Sequence, residues 1–241
     1  MNQATFLVLF QVVGILKQTE GQLTGGSIQT FQKETKITNG SPAKPGEIPY
    51  QVALYRDNIL HCGGSFVIAN GQHWVITAAH CVEQDDNPEN YFVVAGQINE
   101  NNFNSPGQVR NVNQIVIHEN FAHNVGIFND IAILAISSPF EIDSFVSPIR
   151  LPRKKERIGK YGLVSGWAGS RPGVFDGKTM ICAGVRKGAC MGDSGGPLVD
   201  TKRKFLAGIV SAGNGGCTGP KRNGVYTRVS AFVSWIEEHA K

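Results

Sequence analysis

Past the first forty residues, apolar positions fall into short alternating runs, not helical stripes. Gly, Pro, Asn and Asp clusters interrupt them at intervals of about ten residues. Strands are predicted over Gln51–Tyr55, Ser65–Ile68, His73–Thr77, Tyr91–Ala95, Val109–Ile117 and Ile131–Ile136. A second set covers Gly162–Trp167, Met180–Ala183, Leu198–Asp200, Phe205–Ser211 and Val225–Arg228. This spacing predicts an all-β chain, barrel or sandwich. One helix closes it: Ser230 is the expected cap, and Val229, Phe232, Val233 and Ile236 recur at helical spacing with Trp235 beside them.

The N-terminal segment has a different pattern. Phe6 to Leu16 is apolar except for Gln11 and Gly14, and polar Lys17-Gln18-Thr19-Glu20 follows. Such a run is too short to cross a bilayer but suits the apolar region of a signal peptide, so 1–21 reads as signal, with no small-x-small motif marking its end. The alternative is a buried strand. Residues 22–36 are polar and read as a propeptide or linker, leaving 37–241 as the folded domain. No other apolar stretch reaches the roughly 18 residues a membrane span needs, so a secreted, extracellular protein without a membrane anchor is expected.

Composition sharpens the picture in three places. The 29 glycines and scattered prolines favour strands and turns over a bundle. A formal charge of +4 with dispersed basic residues does not point to nucleic acid. The cluster Arg153-Lys154-Lys155, with Arg157 and Lys160, reads first as a solvated loop and second as a site for an anionic partner such as a polysaccharide. Five cysteines fit an oxidising compartment, but an odd count leaves one without an internal partner.

Three segments carry chemistry. Met191-Gly192-Asp193-Ser194-Gly195-Gly196-Pro197 sets a serine among three glycines. Glycine permits positive φ and close approach, so such a turn exposes the serine oxygen and gathers N–H groups around one point, as a nucleophile and oxyanion site require. A serine needs a base, and Thr77-Ala78-Ala79-His80-Cys81 places a histidine at a strand end. Asn129-Asp130-Ile131-Ala132-Ile133-Leu134 puts a carboxylate at the mouth of an apolar run, where it needs a partner such as an imidazole N–H. Each segment alone is an ordinary turn or strand end; together, in the order His, Asp, Ser, they are hard to explain otherwise. That order and the absence of a strand–elbow–helix context exclude an α/β-hydrolase lipase.

The blocks Thr77–Cys81, Asp130–Ala132 and Gly192–Pro197 resemble the signatures of the chymotrypsin/trypsin family of serine proteases, from about Ile37 to the C-terminus. The resemblance implies two packed antiparallel six-stranded β-barrels with a cleft between them, and a C-terminal helix. His80, Asp130 and Ser194 would be the catalytic residues, with Gly192 and Ser194 N–H groups as the oxyanion hole. Ser211 matches the family serine that bonds the triad carboxylate. No metal or organic cofactor is implied. Implied partners are protein and peptide substrates, an activating trypsin-like protease and protein protease inhibitors, with a monomeric chain.

Lys36-Ile37-Thr38-Asn39-Gly40 resembles the family's activation site; after a cut behind Lys36, the Ile37 ammonium would pair with Asp193. The sequon Asn39-Gly40-Ser41 reads as a turn or as a glycosylation acceptor. Gly188 stands at the pocket base where trypsin-like members carry Asp, and Gly213 and Gly224 match the small wall residues. Ser211 also borders this substrate-binding region. Together they imply a preference for large apolar or aromatic side chains before the cut, as in chymotrypsin. Ala212 departs from the family, which has Trp there.

The second half is also short. Asp130 and Ser194 are 64 positions apart, against about ninety in the family. Fourteen residues separate Trp167 from Cys182 where family members have about forty, so relative to the family about 25 residues are missing, among them one strand and one cysteine. The resemblance pairs Cys62 with Cys81 and Cys190 with Cys217, and leaves Cys182 without a partner. An incomplete second barrel keeps a second reading open: a catalytically impaired variant, or a non-catalytic relative acting by protein binding.

Overall fold

The computed structural model describes residues 42–99, 107–123, 126–159, 161–167, 180–183, 193–213 and 224–241, with 180–183 and 213 described by their backbone. All of them belong to one compact unit.

The first half is a closed barrel. It is built from β1 (Gln51–Arg56), β2 (Ile59–Ala69), β3 (Gln72–Thr77), β4 (Tyr91–Ala95), β5 (Gln108–Ile117) and β6 (Ala132–Ile136), in the order β1-β2-β3-β6-β5-β4. Val52 lies opposite Gly64 on one side and Ala95 on the other, which closes the cylinder. Two-residue turns set the hairpins. Asp57-Asn58 and Asn70-Gly71 all have positive φ, the geometry that follows the strand twist and that Asn, Asp and Gly tolerate.

Alternation along β1 decides what each face buries. Val52 and Leu54 join Phe66, Val75, Ile133 and Leu134 in the main core. Ala53 and Tyr55 face the other way against Val94, with Phe92 and Trp167 partly buried over them. β2 begins earlier than the pattern suggested, at Ile59. His61, Cys62 and the Gly63-Gly64 pair mask the alternation, but the tight turn from β1 hydrogen-bonds them from the start.

The second half is a sheet of β7 (Gly162–Val164), β8 (Met180–Ala183), β9 (Pro197–Asp200), β10 (Leu206–Gly213) and β11 (Gly224–Arg228), antiparallel throughout. Its order is β7-β9-β10-β11-β8, so β7 and β8 are its two edges among the described residues. The fold is therefore the expected double-barrel type: a complete six-stranded barrel beside a second sheet of five strands among the described residues. The central strand β10 is buried on both faces: Leu206 and Ile209 join the main core, while Ala207 and Val210 pack with Leu198, Phe205 and Tyr226.

β11 runs directly into α1 (Val229–His239), which buries Phe232, Val233, Trp235 and Ile236. Ser230, expected to cap this helix, lies inside it. Arg228 occupies the cap position with extended backbone and no side-chain cap bond, because the strand leads straight into the first turn. At the other end, the Asn70 amide donates to the Glu237 and Ala240 carbonyls at 2.7 and 2.9 Å, tying the helix to the first barrel.

Candidate active site

His80 sits just beyond β3 on a single 3-10 turn, Ala79–Cys81. The Cys62–Cys81 disulfide fixes that turn to β2. The His80 Nδ1–H donates to Asp130 Oδ2 at 2.8 Å, and the His80 backbone N–H donates to Asp130 Oδ1 at 2.9 Å. The imidazole keeps 20% of its surface exposed, whereas the Asp130 side chain is fully buried. An Nδ1–H held by carboxylate leaves Nε2 as the basic nitrogen.

Asp130 is delivered by a sharp turn at Asn129, with φ of 51°, immediately before β6. A buried carboxylate is costly without donors, and three converge here. Besides the two from His80, the Ser211 hydroxyl donates to Oδ2 at 2.5 Å. Thr227 Oγ1–H donates to the Asp130 carbonyl at 2.7 Å, anchoring the backbone from β11. His61 lies nearby, its Nε2 2.9 Å from the Cys81 carbonyl. Burial, then the Arg56 charge, pull its pKa below the ordinary value; the Cys81 bond opposes them, and His80 lowers it further.

Ser194 is half-buried, and Asp193 beside it is completely buried. Gly63 N–H donates to the Ser194 carbonyl at 2.7 Å, so β2 holds both the histidine turn, through Cys62, and the serine loop. The loop is pinned further by Gly195 N–H to the Val210 carbonyl at 2.8 Å and Gly196 N–H to the Asp193 carbonyl at 2.9 Å. Gly195 has φ of 78°, and a Cβ there would run into Thr77 Oγ1 and the Gly63 carbonyl. Gly166 performs the matching service for Asp193, because a Cβ there would run into the Asp193 carboxylate.

Of the proposed pocket residues, Gly213 and Gly224 are register partners across β10 and β11. Ala212 is buried in a small cluster with Ile127 and Val225, over which Phe121 and Phe128 pack. Gly188, Gly192, Lys36, Ile37, Cys190 and Cys217 lie outside the described residues, as does Asn39. Cys182 is placed by its backbone in β8, opposite Val225. Cys62, His80 and Cys81 cluster closely, but both sulfurs are consumed by the disulfide, so the group is not a metal-ligand set.

Sequence reasoning missed three polar supports. Gln51 accepts from the Ser165 hydroxyl at 2.6 Å between the two halves. Thr77 Oγ1–H donates to the Gly63 carbonyl at 2.8 Å, and Thr227 holds Asp130. Their only sequence signal is a polar residue inside an otherwise apolar strand.

Comparisons with known proteins point to a single family. A family model described as Trypsin matches residues 37–176 and 168–236. The chain is 36% identical to Trypsin-1 of Astacus astacus over 242 aligned residues, covering 85% of this chain and all of that protein. It is 35% identical to Transmembrane protease serine 11C of Mus musculus over 83% of this chain and 53% of that one. Identity to Coagulation factor IX of Oryctolagus cuniculus is 34% over 90% of each. The two matched segments overlap at 168–176, inside the shortened stretch before Cys182. Against Trypsin-1, 85% of 241 residues is about 205, so about 37 of the 242 aligned positions face no residue of this chain.

Proposed function

The chain belongs to the trypsin family of serine proteases, and from that premise we propose a secreted endopeptidase precursor that cleaves peptide bonds with Ser194, His80 and Asp130. The observation that carries this reading is the His80 Nδ1 to Asp130 Oδ2 bond of 2.8 Å on a fully buried carboxylate. It fixes the tautomer in which Nε2 can accept a proton. Ser194 Oγ attacks the scissile carbonyl carbon while its proton passes to His80 Nε2. The resulting imidazolium is stabilised by Asp130, which stays ionised. Collapse of the tetrahedral species breaks the C–N bond, and His80 returns the proton to the leaving amine. Water, deprotonated by the same nitrogen, then releases the acyl group and restores Ser194.

The N–H groups of Gly192 and Ser194 would hold the developing oxyanion, each worth about 3–4 kcal/mol in such sites. Cutting after Lys36 would free Ile37 to pair with Asp193, a fully buried carboxylate that packs on Gly166. The activating enzyme would be trypsin-like. Gly188 and the Gly213–Gly224 pair support an uncharged pocket that takes large apolar or aromatic side chains. Protein inhibitors would bind the same cleft.

A second reading rests on one observation: among the described residues the second sheet has five strands, with β7 and β8 as edges. A site whose serine loop stands on an unclosed sheet would serve as a protein-binding cleft without turnover. Active-site titration separates the two. The refolded chain, cut after Lys36, is exposed to a reagent that acylates reactive serine, with a Ser194→Ala control. Peptides with Phe, Leu or Arg before the cut follow. Stoichiometric labelling dependent on Ser194, with Phe or Leu preferred, is expected. A folded sample that does not label overturns the catalytic reading in favour of an impaired variant or a binding relative.

A further inference from the structure

Two basic segments far apart in sequence meet on the surface of the second half. Arg153, Lys155 and Arg157 come from the loop before β7; Lys202, Arg203 and Lys204 form the turn between β9 and β10. All six are exposed. Hydrogen bonds join the segments: Arg203 Nη1–H donates to the Arg157 carbonyl at 2.8 Å, and Arg150 Nη2–H to the Arg203 carbonyl at 3.4 Å. Lys155 N–H donates to the Ser230 carbonyl at 3.2 Å, fixing the loop on α1.

The acidic residues within this surface are already engaged. Asp200 is buried, its carboxylate accepting backbone N–H groups of Gly159, Lys202 and Arg203 at 2.7 to 3.0 Å. Glu156 accepts from the Arg150 guanidinium and the Arg153 N–H. Glu237 lies 4.0 Å from Lys154. These carboxylates build and pin the two turns, while Arg153, Lys155, Arg157, Lys202 and Lys204 stay exposed without a carboxylate partner among the described residues.

Backbone conformation supplies an independent sign. Among the described residues, the non-glycine positions with positive φ are Asp57, Asn58, Asn70, Asn129, Lys155 and Lys204. The first four are the residue types that adopt this region readily. The two exceptions are both lysines, and both lie in this patch, at φ of 63° and 54°. Asn or Gly would fit either turn with less strain. Lysine at both positions is therefore explained by its charge and not by its fit to the fold.

We propose that this surface is a binding site for a sulfated polysaccharide, separate from the catalytic residues and independent of whether they turn over. Flexible ammonium and guanidinium groups spread over two turns suit a chain of sulfates. A single exposed ring, Tyr161, borders the patch next to Thr201. A row of stacking aromatics, which single-stranded nucleic acid favours, is not found here among the described residues.

The test uses the full chain with its disulfide intact and probes it with heparin, hyaluronan and an oligothymidylate. Heparin should bind in a salt-dependent way and the unsulfated hyaluronan much more weakly. Lys155→Asn and Lys204→Asn should each weaken heparin binding about fivefold while leaving the thermal midpoint equal or higher. Lys44→Asn, the same charge change on the first half, should leave binding intact. The proposal is overturned if Lys44→Asn costs as much, if the Asn variants melt lower, if heparin does not bind, or if the oligonucleotide binds as tightly as heparin.

Discussion

Ser211 Oγ stands 2.5 Å from Asp130 Oδ2, a hydrogen bond across 81 positions of sequence that shares its acceptor oxygen with His80 Nδ1. Replacing Ser211 with Ala leaves Asp130 its two His80 donors but strips one from a buried charge. Stability should fall by about 1.5–3 kcal/mol, the worth of one hydrogen bond to a charged group. Asp130→Asn changes geometry little but favours the wrong imidazole tautomer, so kcat should fall about 10⁴-fold. Denaturant unfolding and ester hydrolysis of the two variants test this ordering: small kinetic and clear stability effects for Ser211, the reverse for Asp130.

The Cys62–Cys81 disulfide connects the two loops that the reaction needs. Cys81 adjoins His80, and Cys62 adjoins Gly63, whose N–H holds the Ser194 carbonyl. The bridge closes a loop of 19 positions, which corresponds to about 3 kcal/mol in the chain-entropy account. Cys62→Ala/Cys81→Ala should unfold at lower denaturant and lose acylation rate even where circular dichroism shows it folded. Unchanged acylation in the folded double variant would mean the bridge serves stability alone.

Gly195 tests how tightly the serine loop is fitted. Its φ of 78° and its contact with Thr77 Oγ1 and the Gly63 carbonyl leave no room for a side chain. Gly195→Ala must strain the backbone and displace Thr77, breaking the Thr77–Gly63 bond. A loss of about 2–4 kcal/mol is expected, combining the left-handed penalty with a lost buried hydrogen bond. Equal midpoints for variant and parent in thermal melts would show that the loop yields freely.

Much of this architecture is legible in sequence because strand alternation and turn residues are local. Asn70-Gly71 announces its hairpin, and the apolar run of β6 frames Asp130. The pairing of Gln51 with Ser165, and of Thr227 with Asp130, is not legible, since it depends on how two half-domains dock. Lys202–Lys204 carried no signal either, until folding set them beside Arg157. The early start of β2 hid behind Gly63-Gly64, where close packing replaces alternation. Motif spacing points to a shortened second half because the intervals between the signature blocks can be counted in the sequence itself.

Histidine titration sets the acid limb of stability. Burial lowers the pKa of His73. It also leads the lowering at His61, aided by Arg56 and His80, and at His118, where Glu119 opposes it and His239 adds to it. Each group is neutral in the fold and charges more readily when unfolded. Their contribution is therefore complete above the unfolded pKa near 6.5 and is lost as pH falls below it. His73 Nδ1 accepts the Phe140 N–H at 3.1 Å, a bond that protonation removes. The urea midpoint should hold steady above pH 7 and decline from pH 6.5 to 5. His73→Asn, which keeps an acceptor but does not titrate, should make that decline shallower.

The edge strand β7 carries a liability that the first barrel lacks. There each strand pairs on both sides, whereas β7 pairs only with β9 among the described residues. On and beside this strand, Leu163 and Tyr161 are 40% and 68% exposed. An open edge with apolar side chains templates pairing with another copy, and a charge on the edge blocks it. Leu163→Lys and Tyr161→Gln should therefore reduce concentration-dependent association in light scattering. Unfolding free energy should shift by less than about 0.5 kcal/mol, as is usual for exposed positions. If both variants associate as the parent does, the edge is already covered, and the second sheet is better protected than its strand order implies.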